Sequence, residues 1–128
     1  KIMIKTKELR VGNYVSINNG FEMLVHSILQ HDTVYLDFIP PLINEADVWE
    51  EDFKNINPIQ ITEDILFKLG FKEKGFGDWR KNRLYLSRDS KKHFVTNGFF
   101  VEIEYVHQLQ NLYFAVTGEE LVFSSTEP

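Results

Sequence analysis

Four histidines, His26, His31, His93 and His107, are the side chains here that titrate near neutral pH and can move a proton or hold a metal. His26 and His31 fall in or beside one expected hairpin, with Asp32 and Asp37 close in sequence. A metal site needs three or four converging ligands. Spacing across one turn does not supply them, so scattered surface histidine is the expectation and no metal ligand is assigned. His107 opens a helical stretch and could act as a general base, but no Ser or Lys partner stands beside it. Hydrogen bonding near the helix start, or plain exposure, is its expected role. Glu102 and Glu104 share one side of an expected strand, where a solvated face explains them better than paired acid–base work. Gly75 and Gly77 form a glycine pair with no Gly-Lys-Ser/Thr after it, which is turn chemistry and not a phosphate loop. No nucleophile elbow or metalloprotease motif occurs. The chain has no cysteine, which removes disulfides and thiolate chemistry. No catalytic residue and no cofactor is assigned.

The strongest candidate surface is cationic. Residues 68–93 hold nine basic and three acidic side chains, a net of +6 within a chain of net charge −5. Residues 11–67 hold ten acids and one lysine. The basic stretch carries Lys72, Lys74, Arg80, Lys81, Arg83, Arg88, Lys91 and Lys92, with Phe76, Trp79 and Tyr85 interleaved. Cations neutralise phosphates and aromatic faces stack on bases, so this composition suits single-stranded nucleic acid. It equally suits a small phosphorylated ligand or an acidic protein partner. The acidic segment Glu45–Asp52, in the same chain or in a second copy forming a homo-oligomer, is a further possible mate. His107, Gln108 and Asn111, with Gln110, are secondary contact candidates on a helix face.

These side chains need elements to carry them. Lys7 to Phe38 reads as a three-stranded β meander: ELRVGNYVSI, interrupted by the turn-prone pair Gly12-Asn13, a turn at Asn18-Asn19-Gly20, FEMLVHSIL, a turn at His31-Asp32, and TVYLDF. Pro40-Pro41 stops it. PPLINEADVWEEDFKNINP then reads as an acidic connector over 40–61, with Trp49 and Phe53 spaced to share one face of a short helix. ITEDILFKLGF reads as a helix over Thr62–Leu69, with Thr62 as its N-cap, Glu63 and Asp64 at its positive end, and Gly70 as its stop. Phe71 to Glu104 reads as an antiparallel sheet, with turns at the glycine pair, around Lys81-Asn82, at Asp89-Ser90 and at Asn97-Gly98. Val106 to Thr117 repeats apolar residues at spacings of three and four, predicting a helix that buries Val106, Leu109, Leu112, Tyr113 and Val116. Leu112→Asp is then expected to unfold the protein. Gly118 closes the helix and ELVF follows as a last strand.

The expected fold class is α+β: an N-terminal β unit over 1–39, barrel-like in its pattern, the connector over 40–61, and an α-β-sheet-α-β unit over 62–128 whose two short helices cover one sheet face. The break is expected between Phe38 and Pro58. The two units either share one core or pack as subdomains. No apolar run approaches the ~20 residues of a membrane span. KIMIKTKELR is too charged to read as a signal peptide. Both point to an intracellular protein with no membrane partner.

Two resemblances add to this reading. The pattern LRVGNYV…G…V…I…VYLDF, from Leu9 to Phe38, resembles the opening of small barrel modules of the KOW type, which implies RNA or protein binding. VHQLQNLYFAVTGEEL, Val106 to Leu121, resembles the ending of a family of small uncharacterised proteins of bacteriophages and prophages of the Bacteroides–Flavobacterium group. INPIQITEDILFKLGF and ELRVGNYV are similar to that family's middle and beginning. This second resemblance implies a phage origin and a cytoplasmic setting in the infected or lysogenic bacterium, and carries over no catalytic residue. With no catalytic motif beside it, the expected function is a non-enzymatic interaction protein acting on a host or phage component, host-defence factors among them. A nucleic-acid-binding accessory protein, or a protein or enzyme acting on small molecules or nucleotides, are the alternatives.

Overall fold

The structure, a computed structural model, describes residues 4–18, 20–29, 33–39, 49–75, 77–88, 94–96 and 102–124. The protein is α+β, with two five-stranded antiparallel sheets and two α-helices among the described residues. The chain divides into two compact units, Lys1–Ile59 and Gln60–Pro128. Among the described residues no helix is long and apolar enough to cross a membrane.

The first unit holds β1 (Tyr14–Ile17), β2 (Glu22–Leu29), β3 (Thr33–Phe38), β4 (Trp49–Asp52) and β5 (Ile56–Asn57), in the order β4-β3-β2-β1-β5. The β1–β2 turn closes where its glycine predicts. Gly20 sits at φ 93, and Ile17 N donates to Phe21 O at 3.0 Å. The strand expected from Glu8 begins later, at Tyr14. Gly12 lies at φ 98 and the buried Asn13 side chain accepts from Arg10 N at 2.7 Å, so the chain turns at the pair expected to interrupt the strand, and Val11 is left exposed outside it. The turn at His31-Asp32 lies outside the described residues.

The connector departs most from expectation. Trp49 and Phe53 do not share a helix face. Trp49–Asp52 pairs with β3, Leu36 opposite Trp49, and Ile56–Asn57 returns to pair with β1. One turn of 3-10 helix, Phe53–Asn55, separates them and drops Phe53 into the core. That core joins Ile4 and Leu9 to Val15, Ile17, Met23, Val25, Val34, Leu36, Phe53 and Ile56. β4 contributes no buried member to this core. Its polarity reads as connector, yet its backbone completes the sheet edge.

Glu51 on β4 accepts from Trp49 Nε1 at 2.9 Å and from Asn55 Nδ2 at 2.8 Å. The Asn55 and then the Trp49 bond hold its carboxyl below the usual value of 4.5. The folded state therefore releases this proton more readily than the unfolded chain does. Its contribution is present above pH 4.5 and is lost as pH falls through the lowered value. In Glu51→Gln, urea titrations at descending pH are expected to show a shallower acid-side fall in midpoint than in wild type. Identical slopes would contradict the clamp.

The second unit begins with α1 (Glu63–Lys68). The Thr62 hydroxyl accepts from Ile65 N at 3.2 Å, Leu66 and Leu69 are fully buried, and Gly70 adopts φ 89. The sheet follows as β6 (Lys72–Glu73), β7 (Trp79–Lys81), β8 (Leu84–Arg88), β9 (Phe94–Thr96) and β10 (Glu102–Ile103), ordered β10-β9-β8-β7-β6. The turns at Asp89-Ser90 and Asn97-Gly98, and the residues Phe99, Phe100 and Val101, lie outside the described residues. α2 runs over Val106–Thr117 and ends on Gly118 at φ 77, whose N–H donates to Phe114 O at 2.8 Å.

The buried stripe of α2 is rotated from the expected one. Val106, His107, Leu109, Gln110 and Tyr113 are buried, whereas Leu112 and Val116 are only partly so. Gln110 is admitted because its Nε2 donates to Leu121 O at 2.9 Å. That bond also accounts for ELVF, which pairs with no strand among the described residues. Leu121 is buried, its carbonyl is taken by Gln110, and Ser124 N donates to Lys68 O at 2.7 Å.

Candidate cationic binding surface

The β7–β8 hairpin decides which way each cation points. Lys81 pairs with Leu84, so the two-residue loop is Asn82-Arg83 and not Lys81-Asn82. Asn82 takes φ 53, as a tight hairpin requires, and its Nδ2 donates to the Tyr113 hydroxyl of α2. Asn82→Ala is expected to cost about 1–2 kcal/mol by combining left-handed strain with the lost bond. Asn82→Gly keeps the turn and isolates the bond. Urea unfolding of both variants checks this, and an unchanged midpoint in both would refute the tie.

Side chains alternate across each strand. Trp79, Leu84, Leu86, Phe94, Thr96 and Ile103 fall on one face and are buried. Lys81 and Arg88 share this face. Lys81 Nζ donates to Leu69 O at 2.8 Å, at the C-terminal end of α1, and lies 5.5 Å from the Tyr113 ring centre. Burial pushes its ammonium below the usual 10.5, with Glu119 pulling the other way. Arg88 lies 4.5 Å over the Phe94 ring and 3.6 Å from Glu63 of α1. Both cations, expected as ligand contacts, join sheet to helix, and Lys81 also lines the hollow described below.

Trp79, also expected as a contact, is turned inward. It sits in the core, and its indole N–H has no hydrogen-bond partner among the described residues. Phe76, Lys91, Lys92, His31 and His93 lie outside the described residues.

The opposite face carries Lys72, Arg80 and Tyr85 in one cross-strand row, each exposed. Arg80 is held in place, its Nε donating to Asn82 O at 3.1 Å and its guanidinium 4.8 Å over the Tyr85 ring. Lys74 follows β6 and Arg83 sits in the hairpin loop, both exposed. None of Lys72, Lys74, Arg80 and Arg83 makes an ion pair with a described carboxylate. Two shallow hollows meet at Arg80 and Asn82. One, of about 380 Å³, is lined by Gly70, Lys72, Lys74, Arg80, Lys81 and Asn82. The other, of about 430 Å³, is lined by Arg80, Asn82, Arg83, Thr117 and Glu119.

The secondary candidates on α2 are committed to the fold. His107 is buried, with its ring stacked on Tyr105 at 6.1 Å. Gln108 Oε1 accepts from Glu104 N and Tyr105 N, both at 3.0 Å, capping the helix. Asn111 is partly buried. His26 stands exposed where β2 bulges, its Nδ1 3.1 Å from Ser27 Oγ. No three His, Asp or Glu side chains gather to hold a metal among the described residues.

The chain matches no family model, no curated protein and no solved structure.

Proposed function

We propose that this is a non-enzymatic binding protein that engages an acidic host or phage protein through the cationic surface of its second unit. The observation that carries the reading is the set of exposed cations, Lys72, Lys74, Arg80 and Arg83, without described carboxylate mates beside a fixed Arg80. An array of this kind attracts a complementary partner and steers its approach. A phage or prophage origin, and the cytoplasm of the infected or lysogenic bacterium as the setting, rest on the resemblance of Val106–Leu121. A role against host defence fits that setting.

The aromatic side chains favour a protein partner over a nucleic acid. Base stacking needs open ring faces. Trp79 is buried, and Arg80 covers one face of the Tyr85 ring. The second reading, a nucleic-acid-binding accessory protein, keeps one supporting observation, the Lys72–Arg80–Tyr85 row on an exposed sheet face. Fluorescence anisotropy with labelled single strands separates the two. Tight binding that falls steeply with salt would favour nucleic acid, and no change at low salt would remove it.

The proposal is tested by immobilising the protein, passing over it lysate of a bacterium of the Bacteroides–Flavobacterium group, and eluting with a salt gradient. One acidic protein released sharply by salt is the expected result. Retention of nothing, or only of proteins that salt does not release, would overturn it.

A further inference from the structure

We infer that the hollow beside β6 and β7 is an oxyanion subsite that takes a phosphate group. The inference rests on the reading of this surface as the binding face, and it names the chemistry recognised there. Among the described residues the hollow of about 380 Å³ is lined by four cations, Lys72, Lys74, Arg80 and Lys81, and by no carboxylate. The neighbouring hollow includes Glu119, which disfavours an anion. Arg80 is preorganised: Asn82 O engages Nε and the guanidinium carbon lies 4.8 Å over the Tyr85 ring, while no described hydrogen bond uses the two terminal nitrogens. A planar guanidinium fixed in this way is suited to a forked pair of bonds to two phosphate oxygens. Lys81 is anchored by one bond to Leu69 O, which leaves two N–H donors. Gly70 keeps the wall low, since a Cβ there would stand 2.8 Å from Lys81 Nζ. A phosphomonoester brings close to two charges and three acceptor oxygens, and so answers more of these donors than a carboxylate does.

The test is an amide NMR titration with inorganic phosphate at constant ionic strength, chloride serving as the reference anion. Saturable shifts at Lys72, Lys74 and Asn82 are expected. Arg80→Gln and Lys74→Gln are each expected to weaken binding about tenfold or more, and Lys54→Gln, in the first unit, to leave it unchanged. Lys74 lies outside the strands, so its variant stays informative if Arg80→Gln perturbs the hairpin. Shifts that never saturate, or that phosphate and chloride produce alike, would overturn the subsite. So would equal responses in the Arg80, Lys74 and Lys54 variants.

Two further probes separate the sources of the group. An acidic peptide bearing phosphoserine that binds more tightly than its serine counterpart assigns the phosphate to a protein partner. Phenyl phosphate binding as tightly as the phosphopeptide assigns it to a small ligand. Phosphate failing while an acidic protein is still captured with salt sensitivity refutes the subsite alone. Phosphate binding with no protein captured refutes the protein-partner reading alone.

Discussion

Leu109→Ala is expected to destabilise the second unit by about 2–5 kcal/mol, because a fully buried leucine leaves both a lost transfer term and a cavity. Leu109 lies midway between Val106 and Tyr113 on the buried stripe of α2. Tyr113 in turn meets the Phe71 ring edge-on at 6.4 Å and receives the Asn82 bond. A cavity under Leu109 therefore loosens the helix that steadies the hairpin carrying Arg80 and Arg83. Leu112→Ala is expected to cost about 1 kcal/mol, since partial burial removes less apolar area from water. Leu112→Asp, expected from the periodicity alone to unfold the protein, is correspondingly reduced to a milder loss. Calorimetry on the alanine pair decides the order, at roughly 4–8 °C of Tm per kcal/mol for a unit of this size. A larger loss at Leu112 than at Leu109 would show that the stripe is misplaced.

The contrast between these leucines marks how far the sequence speaks. Both helices were legible because their ends are written locally: Thr62 before α1, Gly70 after it, and Gly118 after α2. The rotation of the α2 stripe was not. His107 and Gln110 read as polar, and the bond from Gln110 to the Leu121 carbonyl, eleven residues on, is not written locally. β4 and β5 were illegible for a related reason. WEED has no strand pattern of its own and becomes one by pairing with β3, whose residues lie well upstream in the chain.

The candidate surface was half legible. The cations were visible as a composition, but their facing depends on hairpin register, and a slip of one residue reverses every side chain. Placing the turn at Lys81-Asn82 leaves Lys81 free, whereas the Lys81–Leu84 pair turns it inward. The imperfect alternation of RLYLSR has the same origin. Arg88 shares the face of Leu84 and Leu86 because Glu63 and Phe94 receive it.

The second large effect is on binding. Reversing Lys72 and Arg80 together to glutamate is expected to weaken capture of the proposed acidic partner by about 2–4 kcal/mol, roughly 30- to 1000-fold. Both side chains are exposed, so the fold should survive. Long-range attraction becomes repulsion, and the loss should appear in the association rate and shrink with added salt. Reversing Lys81 or Arg88 is expected to act differently. Those cations bind the Leu69 carbonyl and Glu63, so their loss lowers the melting temperature as well as the affinity. A Lys72→Glu/Arg80→Glu protein that melts normally and binds normally would detach the surface from function.

The central claim is that an acidic protein docks on this face, and capture from lysate by matched proteins tests it most directly. Wild type, Lys72→Glu/Arg80→Glu and Glu50→Lys, the last on the exposed edge of β4, are immobilised at equal density and their bound proteins identified by mass spectrometry. The expected result is one acidic protein held by wild type and by Glu50→Lys and lost from the double reversal. The same proteins recovered on all three surfaces, or none on any, would contradict the account.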